Sequence, residues 1–476
     1  MKKISLIISL ALALMGCTKQ GAVPEAQVAP GIQDDNPGIS RDIVSLTADD
    51  AVTVAQMFCS KEGKTKSGGS KIVEDVATLS GKDGSANMYA VNFSNDEGFI
   101  LVSATKKFFP ILAEVEKGKF DDSIYQTGAS VLLDEYNQSI DYYEAIPQEE
   151  IDESLAAMWR AYEKKAVTSP YLKTKSYEDD LMNLVPAAIH EWAEDGYSAY
   201  PLCNAQGCGI PQSLYNQWYD IASSEANQHY SFEENSFIIA RNEELASPIG
   251  PLMSTKWHQL EPYNLSVPYF ELDDFAHKRL GQHPVIVGEI MKYHQRPNIF
   301  SWLLMPDQLS EDYPSTSLIS EFLYSVGQGI GFNYQIDLYT TTNFAIYSYL
   351  GDRGYSCSEY SHTPFFSEIE TEISSYNPVF AFGTDQSGVD HIWAVDGVKT
   401  ISVYRRYSLK IISLTDYPSL YYWSPCQDYV NFEYGYQMYH LHLGVGGIGD
   451  GWYYQARNFT PSTDYGTKYA TIHVNN

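Results

Sequence analysis

The sequence predicts an α+β protein of more than one module, and three patterns carry that prediction. Helical periodicity opens the ordered part of the chain, a strand–turn–strand signal follows it, and a late run of short strands comes after a set of helices. Helices first and antiparallel strands afterwards, without β–α–β alternation, is the α+β pattern. The 476 residues allow two to four domains, and 44% apolar with 19% charged residues is a globular composition.

The N-terminus reads as an export signal. Met1-Lys2-Lys3 supplies positive charge, Ile4 to Leu14 an apolar run, and Leu14-Met15-Gly16-Cys17 a small residue before a cysteine. The Leu-x-Gly-Cys ending resembles the bacterial lipobox, in which the Cys thiol is acylated before cleavage. Residues 1–16 are therefore expected to be a lipoprotein signal peptide, with lipidated Cys17 opening the mature chain. Each buried acyl methylene contributes about 0.8 kcal/mol to membrane attachment. The expected location is the bacterial cell envelope, periplasmic or surface-exposed. No later apolar run approaches the roughly 20 residues that a spanning helix needs.

Residues 17–45, rich in Pro, Gly, Gln and Ala, read as a flexible tether. Thr47 before Asp49 and Asp50 is a helix start, and Ala51, Val54, Ala55 and Phe58 recur at helical spacing. Met88–Phe93 and Phe99–Ala104 read as strands joined through Gly98. A Tyr-, Glu- and Leu-rich stretch from Ser130 to Ala161 reads as helix on both sides of Pro147. Residues 46–165 thus form a small α+β module. Residues 166–247 are taken as a connector packing on the next domain, with a loop across Cys203 and Cys208. From 248 to 476 helices come first, including Val285–Tyr293 opened by Pro284. Short strands succeed them at 379–383, 391–396, 401–404 and 439–443.

The formal net charge is −29, or about −31 once two signal lysines are gone. Such a surface repels phosphate backbones, so no nucleic-acid partner is expected. Beyond Cys17 the cysteines are Cys59, Cys203, Cys208, Cys357 and Cys426, an odd number without metal-type spacing. Cys203 and Cys208 are close enough in sequence to pair, although spacing alone does not establish it. The 38 tyrosines are spread along the whole chain, so a carbohydrate-binding aromatic surface is a minor option.

Four segments, in order, resemble the streptopain family of papain-like cysteine peptidases. They are Gln259-Leu260-Glu261-Pro262-Tyr263-Asn264; Ile290-Met291-Lys292-Tyr293-His294 with Pro297; His391-Ile392-Trp393-Ala394-Val395-Asp396-Gly397; and Gly444-Val445-Gly446-Gly447 with Asp450-Gly451. Earlier, Tyr89-Ala90-Val91-Asn92-Phe93, Gly98–Ala104 and Pro110-Ile111-Leu112-Ala113 resemble that family's Spi-like pro-domain, which covers the cleft of the zymogen. The resemblance implies a papain-like fold, helices plus an antiparallel sheet, preceded by the pro-domain.

It also implies a site that lacks its nucleophile. A cysteine peptidase needs a thiolate, a His to activate it and donors for the oxyanion. Aligned on the helix end, the family's Gly-Cys-Val-Ala becomes Gly281-Gln282-His283-Pro284, placing Gln282 where the cysteine would attack. His391 matches the general base and Gln259 the oxyanion glutamine, while His442 stands at the orienting Asn. Leu443 and Val445 replace the family's two tryptophans, and Asp390 precedes the base in place of Gly.

The resemblance leaves two readings of function. One is a non-catalytic protein that binds a peptide or protein partner, a peptidase among the options, and needs no cofactor. The other is a cysteine-type peptidase or hydrolase with a repurposed, His-rich site. There Gln282-His283, His391 and His442 would cluster, with His440 on the same strand face as His442. Zinc is its natural ligand, though no short metal-binding spacing supports it.

Overall fold

The computed structural model describes residues 38–61 except 41, 71–163 except 122, 192, and 197–225 except 203, 204, 206 and 207. It further describes 236–309 except 271 and 272, 316–335, 341–414, 421–454 and 467–475. The expected signal, Cys17, most of the tether and Cys203 lie outside these residues.

Helix α1, Ala48–Lys61, begins where expected. The Asp50 amide donates to Thr47 Oγ1 (3.2 Å) while the Thr47 amide donates to Asp50 Oδ2 (2.9 Å), a reciprocal cap. Ala51, Val54, Ala55 and Phe58 are buried against the first strands. Those strands, β1 Val73–Ser80, β2 Ala86–Phe93, β3 Phe99–Ser103 and β4 Ile111–Val115, form an antiparallel meander. The β2–β3 turn uses left-handed backbone at Asn95, Asp96 and Gly98, and a Cβ at Gly98 would overlap the Val115 carbonyl oxygen. Helices α2, Ala129–Glu144, and α3, Glu153–Arg160, flank the break at Pro147.

The next elements are β5 Ser198–Pro201, α4 Gln212–Glu225 and β6 Ser236–Ile249. Then come β7 Tyr269–Phe270, β8 Asp273–His277, α5 Gln282–His294, α6 Thr316–Gly329 and α7 Asn343–Gly351. The last are β9 Tyr355–Glu359, α8 Phe366–Ser374, β10 Val379–Thr384, β11 Asp390–Leu414, β12 Tyr421–His442, β13 Gly451–Tyr454 and β14 Lys468–Val474. Helices plus a large antiparallel sheet make the protein α+β, as the sequence predicts.

The late strands differ from expectation in length. The runs at 391–396 and 401–404 belong to one 25-residue strand, β11, whose partner β12 runs for 22 residues. Alternation is interrupted there because Arg405 is buried on the inward face between Val403 and Tyr407, beside outward Arg406. The connector is also more than a linker. All 14 residues of β6 pair with β11, and Trp218, Ile238, Ala240, Tyr407 and Leu409 form a separate core. Cys208 sits in that core as a buried free thiol, and Cys203 lies outside the described residues.

The main sheet runs β1-β2-β3-β4-β13-β12-β11-β10-β14-β9, with β6 beside β11 and β5 beside β6. The join between early and late strands is β4 with β13, where Ala113, Glu114 and Val115 pair with Tyr453, Trp452 and Gly451. Lys399 and Glu114 form an ion pair across this region at 2.9 Å, both nearly fully buried. Tyr136 Oη of α2 donates to the Tyr454 carbonyl at 2.5 Å. One apolar core runs from Met88 and Leu101 through Ile140 to Trp393 and Leu441. A second surrounds α5 and α6. Among the described residues no helix is long and apolar enough to cross a membrane.

Candidate functional site

Helix α5 sets the site. Val285, Ile286, Val287, Ile290 and Met291 bury most of its surface, and Pro284 in the first turn forfeits only an amide that has no intrahelical acceptor. Gly281 caps the helix at φ 87°, which places Gln282 at its first position, 7% exposed. Gln282 Nε2 donates to the Leu443 carbonyl at 3.0 Å. Its Oε1 faces His391 Nδ1 at 3.4 Å. Both ends of the carboxamide are thus engaged.

His391 is the second residue of β11 and is 4% exposed. Its Nε2 lies 2.9 Å from Asp385 Oδ2. Both ring nitrogens thus face acceptor oxygens, Gln282 Oε1 and Asp385 Oδ2. Asp385 comes from the β10–β11 turn, where its Oδ1 accepts from the Ser387 amide (2.9 Å), Ser387 Oγ (2.6 Å) and the Val389 amide (3.0 Å). Burial opposes ionisation, but the bonds from Ser387, His391 and Val389 hold the carboxyl down at about 2. An amide, an imidazole and a carboxylate therefore stand in line.

His442 does not join that line. It is 1% exposed, and its Nε2 lies 3.0 Å from Glu289 Oε2. Its Nδ1 faces Asp450 Oδ2 at 3.3 Å, off hydrogen-bond geometry. Asp450 also takes Lys256 Nζ at 2.7 Å and the Leu443 amide at 2.8 Å, and Glu289 Oε1 accepts from the Trp257 amide at 2.9 Å. Burial favours the neutral imidazole, but Glu289 and Asp450 push its pKa up to about 9. Two acids and two cations form a balanced buried quartet tying α5 to the Gly-rich turn and the 255–258 segment. The expectation that His442 stands beside the base is corrected: the acid that reaches His391 is Asp385.

The remaining predicted residues separate as well. His283 sits near His391, and burial first, then His391, depresses its pKa to about 4. His440 Nδ1 pairs at 2.6 Å with Asp396, the residue left over at the β11 irregularity between Val395 and Gly397, and Asp396 also helps to raise the His442 pKa. Among the described residues no group of three or more His, Cys, Asp or Glu could hold a metal ion, so the clustered His site is not assembled. Gln259 is half-buried, and its carbonyl accepts the Leu280 amide at 3.0 Å, close to the start of α5. Cys208 and Cys357 are not poised as thiolates: burial raises the Cys208 thiol and pushes that of Cys357 to about 12.

The early module closes over the His391 wall. At the start of α2, Gly128 lies so close to Trp393 that a Cβ would clash with the indole, and Val131 packs on Gly383. Asp134 Oδ2 accepts the Gln386 amide at 2.7 Å, gripping the turn that carries Asp385.

Sequence reasoning missed Asp385 and Glu289. Each had a signal: Asp385-Gln386-Ser387-Gly388 is an Asx-type turn just ahead of His391, and Glu289 is the lone acid inside an apolar helix. Among curated proteins, none matches the chain. A family model does match one part of it: residues 44–140 match the Spi protease inhibitor family.

Proposed function

We propose that the chain is a nucleophile-deficient relative of the streptopain-type cysteine peptidases, papain-like from about residue 248, that binds a peptide or protein partner and does not cleave it. In this reading a lipid on Cys17 holds it at the bacterial envelope, and residues 46–165 serve as its pro-domain. One observation supports the reading above the others. The side chain at the start of α5, facing the base, is the carboxamide of Gln282, with both polar ends already bonded. A carboxamide has no ionisable proton near neutral pH and forms no acyl-enzyme. His391 and Asp385 keep their alignment, but a base with no thiol beside it has nothing to activate. A partner peptidase would meet a face other than that of α2, which is seated on its own β10–β11 turn.

The test is to incubate the purified chain with casein and a thiol-reactive active-site probe. No cleavage and no labelling near α5 are expected; cleavage that disappears in His391→Ala would overturn the reading. Gln282→Cys supplies the missing sulfur beside His391 and Asp385, and its alkylation is expected to have a pH midpoint below the ordinary thiol value of about 8.5.

A further inference from the structure

The geometry points to a carboxylate-binding pocket on the flank of this site, fitted to an acidic side chain of a bound peptide. The inference rests on the non-catalytic reading above and names what the cleft would hold. A cavity of about 160 Å³ lies between the turn at 123–127, the 258–260 segment with Arg279, and the Gly-rich turn. At about 30 Å³ per water in the liquid, that space suits one acidic side chain rather than a drug-sized ligand.

Its lining is one-sided. Ile124, Val445 and Ile448 are apolar, and the polar groups include Arg279, His258, Gln126 and Gln259, with no carboxylate. Arg279 donates from Nη1 to Gln126 Oε1 at 2.9 Å, and among the described residues no acid ion-pairs with it. In a chain with 60 acidic and 31 basic residues, an acid-free pocket around an arginine that has no counter-ion among the described residues reverses the local sign. His258 Nδ1 accepts the Leu260 amide at 3.0 Å, which leaves the ring proton on Nε2 as a donor. Burial, and then Arg279, depress the His258 pKa, so the ring is a neutral donor at physiological pH. A planar guanidinium fork, an imidazole N–H and carboxamide N–H groups above an apolar floor match a carboxylate carried on a short methylene stem.

The experiment is calorimetric titration of the full chain with acetyl-Ala-Glu-Ala-amide, its Gln counterpart and glutarate. The Glu peptide is expected to bind roughly ten- to hundredfold tighter than the Gln peptide, the range for a charge-assisted bond. Arg279→Gln should erase that difference without changing the melting temperature, and Arg279→Lys should keep only part of it. Equal binding of the two peptides, no binding of either, or discrimination that survives Arg279→Gln overturns the pocket. Glutarate binding as tightly as the Glu peptide overturns the peptide as its source. Hydrolysis of the Glu peptide by the wild-type chain would instead sink the non-catalytic reading and leave the pocket standing.

Discussion

His391 and His442 lie on paired strands, both buried and both bonded to acids, yet they are built for different ends. His391 opens its strand, with a turn acid on one nitrogen and the helix-start amide on the other. His442 closes its strand inside a quartet with Glu289, Asp450 and Lys256. The first holds a helix-start carboxamide and a turn carboxylate in line, and the second is a charged tie within the core.

The largest test of that contrast is stability. His442→Leu leaves buried Glu289 without its counter-charge and is expected to cost about 3–5 kcal/mol. His391→Leu should cost only about 1–2 kcal/mol, since Asp385 keeps its turn bonds. Urea unfolding measures both, and a reversed order would break the comparison.

The pH dependence sharpens it. His442 has a folded pKa raised from 6.5 to about 9, so its contribution is fully present below 6.5 and is lost as pH rises through about 9. The loss is on the order of 3 kcal/mol. Asp385 is depressed from 3.8 to about 2, so its contribution is present above 3.8 and disappears as pH falls through about 2. Unfolding midpoints of wild type minus His442→Leu should therefore fall on the alkaline side, and those of wild type minus Asp385→Asn on the acid side.

A smaller effect separates alignment from stability. In the Gln282→Cys background, Asp385→Asn should move the alkylation midpoint back toward about 8.5, with a stability change under about 2 kcal/mol. An unmoved midpoint would show that Asp385 does not position His391. Smallest of all is Asp134→Asn. It keeps an acceptor for the Gln386 amide while removing a carboxylate whose pKa is raised by burial and by Asp385. A gain within about 0.5 kcal/mol is expected in the same unfolding assay.

Local patterns in the sequence were read well where one face of an element is buried. The Thr47 cap, the Ala51–Phe58 stripe, the β2–β3 hairpin and the Pro284 helix start all derive from spacing and turn chemistry. The long β11–β12 pair was less visible, because its distal half is covered by an element distant in sequence, α4, and its inward face includes the buried Arg405. At the site, Gln282 and His391 were readable from the order of motifs. Asp385 and Glu289 were not, because what makes them matter is a partner more than a hundred residues away or across a turn. His442 was placed by alignment to a motif, but its contacts are decided by Glu289 reaching up from α5.

The strand pairing of β4 with β13 has a consequence for proteolysis. A cut anywhere between residues 163 and 192 would sever the chain without separating its pieces, since backbone bonds, the Lys399–Glu114 pair and a common core still join them. Nicked protein should elute from a sizing column as a single intact particle and come apart only in denaturant, so that peptide-bond cleavage alone would not unmask the wall behind α2.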